Sequence, residues 1–213
     1  MKKLYILILT LFLVGCGGIH IGYTNIEPIP VDISNKELNL YRSILGESRF
    51  FRIKPPENSL SYSTEVYLHK NGESKLQLHS SDNFTVLPKT GFNIGCGLIY
   101  DKFVFYNESK YKTDTFSGQG YGTSSFQGEE STKSYQESSR KFLDTKVKDV
   151  ELNEPVILEL LSFSNKNTSE PDYKKTYMKE YEFDNERVYY IFTITFYDYD
   201  ITKQDMPERL EEL

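Results

Sequence analysis

The run Val188-Tyr189-Tyr190-Ile191-Phe192-Thr193-Ile194-Thr195-Phe196-Tyr197 limits the fold more than any other stretch of the chain. β-branched and aromatic residues fill every position, which favours a strand. Successive side chains of a strand point to opposite faces. Val188, Tyr190, Phe192, Ile194 and Phe196 therefore share one face, and Tyr189, Ile191, Thr193, Thr195 and Tyr197 the other. Both faces are largely apolar, so both need cover from water. That requirement places the segment as a central strand, packed on each side.

Other segments read as partners for it. Residues 62–69 and 73–79 flank Asn71-Gly72. A type I′ turn needs positive φ at both central positions, and Asn-Gly supplies it. A two-residue loop pairs Lys70 with Glu73 and Tyr67 with Leu76. Continued without interruption, that register sets His69 opposite Ser74 and His79 opposite Thr64, with the two histidines on opposite faces. Further strands are expected at 84–87, 98–106 and 156–163. One short helix is expected after Ser34, where Ser34 and Glu37 form a capping box. Leu38, Tyr41, Ile44 and Leu45 follow at helical spacing, and Gly46 suits the position after the last turn. Asp205 and Pro207 suit the start of a second short helix near the end of the chain. Residues 107–141 are rich in Ser, Gly, Thr and Gln and read as a flexible polar loop. A second polar connection is expected over 164–175. The expected fold is mainly β, an antiparallel sandwich or curved sheet with a short N-terminal helix; an α+β arrangement is the alternative.

The N-terminus carries a different kind of signal. Lys2 and Lys3 precede an apolar run from Leu4 to Val14. That run suits the core of a signal peptide and falls short of the roughly 20 residues a membrane-spanning helix needs. Leu13-Val14-Gly15-Cys16 then resembles the lipobox of bacterial lipoproteins. The resemblance covers the first sixteen residues and implies cleavage before Cys16 and lipidation of its thiol. Residues 1–15 would be the signal peptide, 16–31 a lipidated tether of about 50 Å at full stretch, and 32–213 a single mainly-β domain. One acyl chain holds a protein to a bilayer only marginally, and mature lipoproteins of this kind carry more than one. The implied location is the bacterial cell envelope, and Gly17, in place of an Asp, points to the outer membrane in a Gram-negative cell. Loss of Lys2 and Lys3 takes the formal net charge from −6 to −8. An acidic chain is a poor match for nucleic acid or for a purely electrostatic hold on anionic lipid.

The residues that carry chemistry are sparse. Cys96, in Gly95-Cys96-Gly97, is the one cysteine besides Cys16 and reads as a small buried residue at a strand start. His20 falls in the tether, and the expected register separates His69 from His79, so no metal site is assigned. Gly118-Gln119-Gly120-Tyr121-Gly122 lacks the spacing of a phosphate loop. Within that polar stretch, Phe116, Tyr121 and Phe126 are the candidate binding residues, as aromatic anchors among small polar neighbours. Asp198 and Asp200 read as solvated charges at a strand end. The chain contains neither G-x-S-x-G nor H-E-x-x-H. No catalytic residue, metal or cofactor is assigned. The expected function is a non-catalytic envelope binding protein with the membrane and a protein as partners; one version is an immunity protein against a toxin delivered to the periplasm. An accessory subunit of an envelope or surface complex is one alternative. The other is an envelope hydrolase whose carboxylates are paired only by the fold.

Overall fold

The computed structural model describes residues 24–29, 49–84, 91–99, 102–112, 117–127, 135–165 and 175–203. Its strands are β1 (Thr24–Pro28), β2 (Arg49–Ile53), β3 (Ser61–Lys70), β4 (Glu73–Asn83), β5 (Phe92–Ile99) and β6 (Lys102–Lys112). They continue with β7 (Ser117–Gln127), β8 (Glu137–Phe142), β9 (Val147–Lys148), β10 (Val156–Ser164) and β11 (Val188–Tyr197). The first sheet runs β7-β6-β5-β2-β1-β9 and the second β4-β3-β11-β10-β8. The pairings within them are antiparallel. The architecture is mainly β, with the two sheets packed as a sandwich.

β11 is the middle strand of the second sheet, and all ten of its residues are buried. Val188, Tyr190, Phe192, Ile194 and Phe196 meet Ile26, Phe51, Ile53, Phe92 and Ile94 of the first sheet in the inter-sheet core. Each fully buried side chain of this size stabilises the fold by ~1.5–3 kcal/mol. On the opposite face, Tyr189 and Ile191 join Tyr67, Ile157 and Leu160. Met178, Tyr181 and Phe183 cover that cluster. They lie on the segment between β10 and β11, which bridges back to Val156 through Tyr177. The two-sided cover demanded by the sequence of β11 is thus a second sheet on one side and a returning loop on the other.

The β3–β4 hairpin turns at Asn71 and Gly72, whose φ values are +56° and +84°. Lys70 pairs with Glu73 and Tyr67 with Leu76, as the Asn-Gly signal predicts.

Other elements differ from expectation. The expected tether extends to residue 31, yet β1 is part of the first sheet, between β2 and β9. Ile26 is fully buried, and the Asn25 amide donates to the Lys54 carbonyl and accepts from the Val150 amide. Pro28 does not oppose this, because it closes the strand rather than interrupting it. The stretch expected as a flexible loop over 107–141 contains most of β6, all of β7 and most of β8. β7 has an unbroken eleven-pair ladder with β6. Ladder bonds use backbone groups alone, so a Ser- and Gly-rich strand forms without the apolar alternation that betrays a strand in sequence. The strand expected at 98–106 is instead the end of β5 and the start of β6. The helices expected at 34–46 and after Asp205 lie outside the described residues. Those residues contain two three-residue 3-10 turns, Met178–Glu180 and Ile201–Lys203. None of their helices is long and apolar enough to cross a membrane.

Gly95 of β5 pairs with Phe50 of β2, and the aromatic ring lies over the glycine. A Cβ at this position would stand 2.6 Å from the Phe50 ring. Gly95→Ala is expected to lower unfolding stability by about 1–2 kcal/mol, overpacking outweighing the loss of unfolded-state entropy. Urea denaturation measures it, and Phe50→Leu added to Gly95→Ala should recover part of the loss.

Candidate functional site

Sandwich interiors exclude charge, because an unpaired buried ion is expensive. Two carboxylates are nevertheless buried in this one, and a fault in the strand pairing accounts for the position of Glu159 and for the histidine partner of Glu65.

The first is Glu159 on β10. The β10–β11 register shifts between Ile157 and Glu159. Such a bulge places two residues opposite one and re-aims a side chain. Leu158 belongs to the inter-sheet core, and Glu159 also faces the first sheet, where it meets Cys96 of β5. Glu159 is completely buried. Its Oε1 accepts a charge-assisted hydrogen bond from Arg140 Nε on β8. Burial raises the Glu159 pKa, against the opposing influence of the Arg140 guanidinium. The Cys96 thiol is pushed well up, first by its own burial and then by the adjacent carboxylate. It is a neutral thiol at physiological pH. Cys96 is buried, as expected, but in the interior of β5 rather than at its start.

Above this pair the sandwich opens. β1 and β2 on one side and β8 with its following residues on the other enclose a half-open cleft of about 440 Å³. Arg49 starts β2 opposite Cys96, and Phe142 ends β8 opposite Glu159. The guanidinium carbon of Arg140 lies 4.8 Å from the centre of the Phe142 ring and that of Arg49 5.1 Å. Two cations therefore share one aromatic ring at the mouth of the cleft, a stacking that arginine's planar head permits. Lys141 and Asp144 complete its charged rim.

The second carboxylate is Glu65 of β3, on the opposite face of the same sheet and only 1 % exposed. Oε1 accepts from Ser63 Oγ at 3.1 Å and lies 3.0 Å from His79 Nδ1, while Oε2 accepts from Tyr67 Oη at 2.7 Å. Ser63 in turn lies 2.8 Å from Tyr197 Oη. On neighbouring β11, Thr193 pairs with Glu65 and Thr195 with Ser63. Their buried hydroxyls have no hydrogen-bond partner among the described residues. Both carboxylate oxygens of Glu65 are thus already engaged.

His79 reaches Glu65 because β4 carries an extra residue. Val66 pairs with Leu78 but Tyr67 with Leu76, leaving Gln77 unmatched. Past this bulge His79 stands opposite Glu65, not Thr64. The expectation that His69 and His79 occupy opposite faces is therefore corrected: both lie on the face of Glu65. Four residues of β3 still separate their levels, about 13 Å along the strand. His69 is occupied differently, with Nδ1 2.9 Å from Ser74 Oγ and its ring centre 4.4 Å from that of Phe183. Burial lowers the His69 pKa. Among the described residues, no three His, Cys, Asp or Glu side chains converge as metal ligands would.

The residues nominated from sequence fall elsewhere. Cys16 and Phe116 lie outside the described residues. Tyr121 and Phe126 belong to β7, the edge strand of the first sheet, in register with Glu108 and Phe103. They sit on a paired strand, not on a mobile loop. Asp200 accepts hydrogen bonds from Thr202, which together with Lys203 hold its pKa below the usual range, and Asp198 accepts from Asn153. Sequence reasoning misses Arg49, Arg140, Phe142, Glu159 and Glu65. The available signal is a lone carboxylate inside an apolar run, Val156-Ile157-Leu158-Glu159-Leu160-Leu161. Comparison of the chain with protein families, curated proteins and solved structures gives no match.

Because the folded-state pKa of Glu159 is raised, the folded chain binds this proton more tightly than the unfolded chain. The resulting stabilisation is complete below the ordinary glutamate value of about 4.3 and is lost as pH rises through the folded value. Arg140→Ala removes a cation that opposes the rise and strands the carboxylate. Unfolding stability at pH 7 is expected to fall by about 3 kcal/mol, and the deficit against the native chain to shrink at pH 5. Urea denaturation at the two pH values gives both numbers.

Proposed function

We propose that this chain is a lipid-anchored protein of the bacterial envelope that acts by binding a macromolecular partner. An immunity protein, masking a toxin delivered to the periplasm, is the concrete version. The address rests on Leu13-Val14-Gly15-Cys16 and the charged, apolar leader before it. The observation that carries binding over hydrolysis is the placement of the two buried carboxylates. Glu65 and Glu159 lie on opposite faces of one sheet, with the backbone of that sheet between them. A glycoside hydrolase needs its two carboxyl groups facing one bond, about 5–9.5 Å apart. Glu65 is further committed to Ser63, Tyr67 and His79. Arginine and aromatic side chains gathered in a surface cleft are the residue types that dominate partner recognition.

β1 sharpens the geometry of this reading. With Ile26 in the core, seven residues, 17–23, separate Cys16 from β1, a chain length that spans no more than about 25 Å. A partner would be met close to the bilayer surface.

Two measurements test the proposal. In cells fed a labelled fatty acid, the native chain is expected to carry label and sediment with membranes, and Cys16→Ser to lose both. Retention of label by Cys16→Ser would overturn the anchor. Crosslinking of the native chain in intact envelopes should yield one stoichiometric complex that survives purification. Hydrolytic turnover of envelope material with no such complex would overturn the binding reading.

A further inference from the structure

We infer that the cleft between β2 and β8 is a binding site for a small organic anion, a carboxylate on an apolar body. The inference concerns the same cleft that supports the binding reading, but it needs neither the anchor nor a protein partner.

Charge comes first. Arg49, Arg140 and Lys141 bring three cations to the cleft, against Asp144 on the rim and Glu159 beneath it. Arg140 is answered by Glu159. The neighbouring thiol of Cys96 stays protonated and adds no negative charge. Arg49 lines the cleft and stacks on Phe142, but among the described residues it makes no hydrogen bond or ion pair. A guanidinium presents five donors in a planar fork that fits a carboxylate through two parallel hydrogen bonds. Stacking fixes its plane before a ligand arrives, so less side-chain freedom is lost on binding.

Shape and lining narrow the ligand. A cleft of about 440 Å³ falls within the 300–1,000 Å³ typical of small-molecule sites. Ile29, Phe50, Phe51, Phe142 and Leu143 make most of its wall apolar, and such a wall rewards a hydrocarbon body rather than a bare ion. Among the described residues at the cleft and beneath it, three cations face two carboxylates, an excess that suits a monoanion. A carboxylate has that charge; a phosphate monoester near pH 7 approaches two.

Isothermal titration of the full-length chain tests this with three probes: phenylacetate, its neutral counterpart phenylacetamide, and inorganic phosphate. Phenylacetate is expected to bind with a dissociation constant on the order of 1 mM or tighter, and phenylacetamide and phosphate at least tenfold more weakly. Arg49→Gln should weaken phenylacetate at least tenfold while keeping the native urea midpoint. Arg52→Gln, at the exposed ion pair with Glu27 on the same strand, should leave phenylacetate binding unchanged. Equal affinity for acid and amide overturns the inference, as does tighter binding of phosphate or no binding of phenylacetate. The acid–amide comparison uses the native chain, so it decides the matter even where a variant folds poorly.

Discussion

The requirement that β11 be covered on both faces organises the molecule. Its alternating residues supply an apolar surface in each direction, and neither surface is tolerable in water. One is met by the first sheet, through Phe51, Ile53, Phe92 and Ile94. The other is met by Met178, Tyr181 and Phe183, on the connection that leads from β10 into β11. The connection between the two strands therefore does more than join them. It is the outer layer of the second sheet over part of its area, and the hydrogen bond from the Ile157 amide to the Thr176 carbonyl holds it against β10.

The polar groups follow from the same arrangement. β3 and β10 flank β11 and inherit its two-sided burial, so a charge on either strand has no direct route to solvent. Glu65 meets this by recruiting hydroxyls from its own strand and a histidine from β4. Glu159 meets it with an arginine from the sheet's last strand, β8. Both oxygens of Glu65 are occupied from within the sheet. Glu159 is paired with a side chain that also lines a cleft.

Legibility in the sequence divides by whether the signal is local. β11 is readable because β-branched and aromatic residues fill all ten of its positions, a composition that favours a strand and leaves both faces in need of cover. The turn at Asn71-Gly72 is readable because two positive φ values are a demand on residue type. β7 is not, because its pairing with β6 draws on backbone groups that every sequence possesses. β1 is hidden by Pro28 and Pro30, which punctuate a tether and the end of an edge-like strand alike. The bulges at Gln77 and Leu158 are invisible, since a register fault belongs to a pair of strands and not to either one. The first bulge makes the relation expected between the two histidines wrong, and the second conceals Glu159 as part of a site. Its place in an apolar run marks it as unusual, but the partners that make it meaningful come from β5 and β8, 63 and 19 positions away along the chain.

The bulge at Leu158 also changes what kind of mutation matters. In a regular strand of eight or nine residues, alternation would send Leu158 and Glu159 to opposite sides. One surplus residue turns both inward and so puts a carboxylate beneath the cleft. Leu158 is that surplus residue: with it removed, Ile157 and Glu159 would pair with the successive residues Thr193 and Phe192 in regular alternation, and Glu159 would still face inward. A deletion elsewhere in β10 that leaves the bulge in place would instead carry the residues on one side of it to the opposite face. The effect of a length change in this strand is therefore set by the bulge, which can absorb one lost residue without moving the charge.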